Sequence, residues 1–173
     1  GSEMCIRDRP QILPALTNKG VDAALVYEPF VTLFTDSKAA VKWLALGDYY
    51  PDDITGFLVF GDQFIQQRSD VARRWMVAHL RGMRDFANFK KTGKDKDIIT
   101  PIITKATGLS AGVVPRIQWP GINPDGFMNP DILLADQKQL LDWGSIKQTF
   151  PIDQLYDPQF VDYAVKQLGK AAG

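Results

Sequence analysis

Three short apolar runs near the front of the chain constrain its fold more than any other feature: "VDAALVY" (21–27), "VKWLALGD" (41–48) and "GFLVFGD" (56–62). Their length and their Val, Leu and aromatic content fit strands better than helices. Near-continuous apolar runs of this kind suit a parallel sheet buried on both faces. Between the first two, "PFVTLFTDSK" (29–38) opens with Pro at a first helical position, which puts Glu28 at or beside the N-cap. Strand, short helix, strand is the alternation of an α/β fold.

Behind Phe64 the period turns helical. Ser69 caps an expected long helix from Asp70 to about Phe89, with Ala72, Trp75, Met76, His79, Met83 and Phe86 recurring at three- and four-residue steps. Shorter helices are expected over 10–19 (closed by Gly20), over 97–107 (closed by Gly108), from Asn129-Pro130 to about Trp143, and after Asp157-Pro158. "WPGINPDGF" (119–127) is a loop by its Pro, Gly and Asn content. Three strands cannot cover that much apolar helix surface, so the remaining sheet is expected upstream of this sequence.

The opening "GSEMCIRDRP" supports that expectation. A secretory signal places an apolar run of about 7–15 residues after its basic residues, and none follows Met4. The same residues can be back-translated into a sequencing-library adapter. Residues 1–9 are therefore set aside as a non-native tail, an ordinary disordered N-terminus being the alternative.

The chemistry open to the rest is limited. The single cysteine, Cys5, falls in that tail, which leaves no disulfide framework, thiolate metal site or cysteine nucleophile. Twenty basic and twenty acidic residues cancel, so there is no electrostatic footprint for nucleic acid. The one basic cluster, "KKTGKDKD" (90–97), reads as a solvated loop. No apolar run approaches the ~20 residues of a membrane span. His79 is the only histidine and sits on a patterned helix face, where packing is the simpler role. No metal-ligand spacing, nucleophile elbow or phosphate loop occurs.

Taken in order, "GVDAALVYEPFVTL", "VKWLALGDYYPD", "GFLVFGDQFIQQRSDVARRWMVAHLRGMRDF", "TGLSAGVV" and "RIQWPGINPDG" resemble the carboxy-terminal half of the nitrate/taurine/alkanesulfonate-type substrate-binding proteins of ABC importers. The most telling piece runs from Asp22-Ala23 to Tyr27-Glu28-Pro29, where many members carry Trp in place of Tyr27. The resemblance spans about Pro10 to Leu168. It implies a two-lobed type II periplasmic-binding-protein fold, here truncated: the end of lobe 2 with its hinge crossover at 10–56, and the C-terminal part of lobe 1 at 57–173.

The resemblance also implies a function: an extracytoplasmic component, periplasmic or lipid-anchored, that captures a small organic or oxyanion solute between its lobes. It would deliver that solute to ABC permease subunits, as a monomer when full length, with no cofactor and no metal. Two other readings stand beside it: a pyrimidine-precursor synthase-like enzyme of the same superfamily, and a ligand-sensing domain.

The expected ligand contacts are Tyr27, Glu28, Pro29, Asp48 and Tyr49. Tyr27, Glu28 and Pro29 lie where a strand ends and a helix begins, the usual place for a ligand crevice in an open α/β sheet. Asp48 and Tyr49 lie where the chain would cross between lobes, with Gly56 free to absorb backbone rotation. Each has a structural alternative: Glu28 as a helix cap, Tyr27 as a packed ring, and the 48–50 loop as a shield over a junction. If the solute is an anion, Glu28 should be hydrogen-bonded away from it.

Overall fold

The computed structural model describes residues 9–50, 54 and 56–171. The expected adapter segment up to Asp8, with Cys5, lies outside them, as does part of the "PDDIT" turn. Seven α-helices form among the described residues: α1 Arg9–Thr17, α2 Phe30–Asp36, α3 Asp62–Gln67, α4 Ser69–Thr92, α5 Lys96–Thr107, α6 Pro130–Asp142 and α7 Gln159–Leu168. Single 3-10 turns among the described residues include Leu46–Asp48, Val114–Arg116 and Ile152–Gln154.

The described residues contain no strand and no sheet, so the α/β expectation and the two-lobed periplasmic-binding fold are both overturned. The reason is physical. A strand exists only through ladder hydrogen bonds to a neighbour. Among the described residues, stretches 21–26, 41–44 and 56–60 make no backbone–backbone hydrogen bond. Their apolar character survives without a fold to absorb it: Val41, Trp43 and Val59 are each 80–89% exposed. Lobe closure, which the resemblance implied, has no sheet lobes to act on.

The helices follow their local signals more faithfully. Asn129 caps α6 by accepting from the N–H of Asp131 at 3.1 Å, and Pro130 takes the first helical position. Gly93 and Gly108, both left-handed, close α4 and α5. α4 runs to Thr92, so Lys90 and Lys91 stand in its last turn rather than in the loop expected for them.

The chain divides into two units: the described residues of Gly1–Tyr49 with Asp95–Pro120, and those of Tyr50–Lys94 with Gly121–Gly173. The second unit is built on α4 against α7. Ala72, Met76 and Leu80 of α4 bury their side chains with Phe160 and Ala164 of α7, and Phe60, Phe64, Val161 and Val165 pack around them. Phe60 anchors the aromatic part, with ring centroids 5.2 Å from Phe160 and 5.5 Å from Trp75, both edge-on. Burying a Leu80-sized side chain contributes about 1.5–3 kcal/mol. In the first unit, Phe34, Leu109, Val114 and Ile117 are the buried apolar side chains.

Candidate functional site

Tyr27, Glu28 and Pro29 lead into α2 in the first unit. Pro29 is the formal N-cap, but it has no side-chain oxygen with which to hold the helix amides. Glu28 takes over that task. Its Oε2 accepts from the N–H of Thr32 at 3.0 Å, and its Oε1 accepts from the Thr32 hydroxyl at 3.1 Å. The same Oε1 accepts from the N–H of Gln118 at 3.3 Å, a bond spanning 90 residues of sequence. The carboxylate is therefore occupied by three donors and serves as a cap and a cross-link. Capping, one of the two roles open to Glu28 in the sequence, is present in these bonds.

Two more bonds fasten residues 116–118 to this region. The Arg116 guanidinium grips Asp36 through two parallel contacts of 2.8 Å. Lys42 Nζ donates to Gln118 Oε1 at 2.7 Å. The Arg116–Asp36 pair is well exposed and adds little stability in water, but it fixes the register of the two segments. Tyr27 is left 52% exposed beside this polar cluster.

Asp48 and Tyr49 fall at the 3-10 turn Leu46–Asp48, with Tyr49 as its C-cap and 68% exposed. None of the Glu28 hydrogen bonds goes to either of them. The expected set is thus brought together only in its first part. Gln118 and Lys42 join that part instead. Sequence reasoning missed both, because a polar side chain far along the chain carries no local mark of its partner. Trp119, conspicuous in the sequence, donates its indole N–H to the Val114 carbonyl at 3.2 Å and so helps shape its own loop.

A second arrangement, in the other unit, also went unread. A cleft of about 570 Å³ lies beside the C-terminal half of α4, lined by Arg84, Lys90, Lys91 and Lys170 among apolar residues. Burial alone pulls the Lys90 ammonium below the usual lysine range. The only sequence signal for this cleft was the basic run beginning at Lys90.

His79 keeps to neither simple picture. It is exposed, yet the Trp75 indole stacks on its ring at 4.9 Å, and partial burial lowers its pKa from the usual value. Among the described residues no group of three His, Cys, Asp or Glu side chains could hold a metal ion. No helix there is long and apolar enough to cross a membrane. Comparison with known proteins gives no match, whether among family models, curated proteins or solved structures.

Proposed function

We propose that this chain is the solute-binding component of an ABC importer, which captures a small organic or oxyanion solute outside the cytoplasm and passes it to a membrane permease. One observation carries the reading. Tyr27, an aromatic residue about half exposed, stands directly beside an acid whose oxygens already accept from three donors. A free carboxylate there would repel an anion. In this reading Tyr27, half exposed, and the Lys42 ammonium, which also donates to Gln118, are the groups that would meet a solute. The order of the sequence segments that resemble the importer family supports the same reading.

The test is calorimetric titration of the full chain with nitrate, taurine, an alkanesulfonate and a pyrimidine-like compound. One of these should bind, and Tyr27→Ala should weaken it about tenfold, the loss of roughly one well-formed aromatic or hydroxyl contact. Failure of all four, or binding indifferent to Tyr27→Ala, overturns the proposal.

A further inference from the structure

The loop "INPDG" (122–126) holds the only Asp-Gly pair of the sequence, and no Asn-Gly pair occurs in it. In such a pair the glycine amide nitrogen can attack the aspartate Cγ, because the glycine has no side chain to shield the approach. The carboxyl loses one oxygen as water and a five-membered succinimide closes. Water then opens the ring. Attack on the former side-chain carbonyl returns aspartate, and attack on the backbone carbonyl gives isoaspartate. The net change is an isomerisation that needs no oxidant, enzyme or cofactor.

The packing cannot dispense with this glycine. Gly126 has φ +68, and a Cβ there would stand 3.0 Å from Leu80 Cδ1 and 3.5 Å from Val161 Cγ1. The fold instead occupies each group the reaction uses. The attacking nitrogen is engaged, since the Gly126 N–H donates to the Asn123 carbonyl at 2.9 Å. The Asp125 N–H donates to Asn123 Oδ1 at 2.9 Å, which fixes the turn. Asp125 Oδ1 accepts from Arg84 Nη2 at 2.7 Å and from the Ala171 N–H at 2.8 Å. Arg84 is held in turn by the Pro124 and Gly169 carbonyls, at 3.0 and 2.7 Å. The Ala171 amide first, then Arg84 and the Lys170 charge, hold the carboxyl below its ordinary range against the opposing effect of burial. It therefore stays ionised, and a carboxylate is a poorer electrophile than the free acid. In the folded chain the ring can close only after this clamp opens, so its rate follows the open population.

We infer that Asp125-Gly126 is a site of spontaneous isoaspartate formation which the fold holds latent, with Arg84 and the Ala171 amide as the clamp on the carboxyl. The product would not slip back into place. Isoaspartate carries the main chain through the former side chain and moves the carboxyl, so the bonds from Arg84 and Ala171 to Asp125 are not re-formed. The site is independent of Tyr27 and of the proposed importer function.

The experiment incubates the full chain at mildly acidic pH and body temperature. Isoaspartate at residue 125 is followed by electron-driven fragmentation of the peptide that carries it. The folded parent should isomerise at least about tenfold more slowly than the same chain in guanidinium chloride. Ala171→Pro removes one donor without touching α4, and Arg84→Gln removes the other. Each should speed the folded chain at least about threefold, since one hydrogen bond to the carboxylate is lost. Circular dichroism shows which variants keep the fold, and Ala171→Pro, altered only beyond α7, keeps the test open if Arg84→Gln does not. Equal rates in the folded and unfolded parent, or a folded Ala171→Pro that isomerises at the parent rate, overturns the inference. So does an unfolded chain in which residue 125 isomerises no faster than the other aspartates.

Discussion

Asp125 Oδ1 receives two donors at once, the Arg84 guanidinium at 2.7 Å and the Ala171 amide at 2.8 Å. A single oxygen thus joins the middle of α4 to the segment beyond α7. The amide first, and Arg84 after it, hold the Asp125 carboxyl below its ordinary range, against the opposing effect of burial. A group depressed in the fold stabilises it above the unfolded value of 3.8 and loses that contribution as pH falls through the folded value. Thermal unfolding followed from pH 6 to pH 2.5 should show an acid limb that is shallower in Asp125→Asn than in the parent. Parallel limbs would show that the two bonds do not discriminate the ionised form.

Gly126 sits at φ +68, at the end of the turn that begins with Asn123, and a Cβ placed there would lie 3.0 Å from Leu80 Cδ1. Gly126→Ala should destabilise the fold by about 1–3 kcal/mol, through the left-handed backbone and the crowding together. Leu80→Ala should cost about 2–5 kcal/mol from the cavity it opens. The double variant should cost less than the two singles added, because the cavity removes the crowding and leaves only the backbone strain. Chemical denaturation of the four proteins measures that coupling directly.

His79 lies under the Trp75 indole, and burial lowers its pKa from 6.5. The neutral ring is therefore the form the fold prefers. Its contribution is complete above pH 6.5 and is lost as pH falls through the lower, folded value. Melting temperatures of parent and His79→Gln should converge as pH drops from 7.5 toward 5. A gap that widens on acidification would mean the imidazolium is the favoured form.

Gln137 is buried and pairs with one residue twice: its Nε2 donates to the Phe150 carbonyl at 3.1 Å, and its Oε1 accepts from the Phe150 N–H at 2.6 Å. Gln137→Leu keeps similar bulk but strands both backbone groups. The expected cost is about 2–4 kcal/mol in denaturant unfolding, since an unmet buried donor or acceptor costs about 1–3 kcal/mol. Exchange protection of the Phe150 amide should fall with it.

The helices were legible because their signals are local. Asn129-Pro130 at the start of α6, Gly108 at the end of α5, and the three-to-four-residue apolar recurrence along α4 each act within a few residues of themselves, whereas Ser69 makes no cap bond and α4 runs on past Phe89 to Gly93. The apolar runs at 21–27, 41–48 and 56–62 misled for the opposite reason: a strand is a property of a pair. The same distinction divides the sites. Capping by Glu28 could be weighed from its place before Pro29. Its bond to Gln118, and the grip of Arg84 on Asp125, link residues 90 and 41 positions apart and leave no trace in either neighbourhood.

The uncovered stretches around Val41, Trp43 and Val59 also make temperature and salt choice into handles on the behaviour of this protein in a tube. Attraction between bare hydrocarbon surfaces weakens on chilling and strengthens in sulfate or phosphate. A cold chloride buffer should keep the molecules dispersed. Warming, or a little ammonium sulfate, should turn the same solution cloudy well before any helix melts.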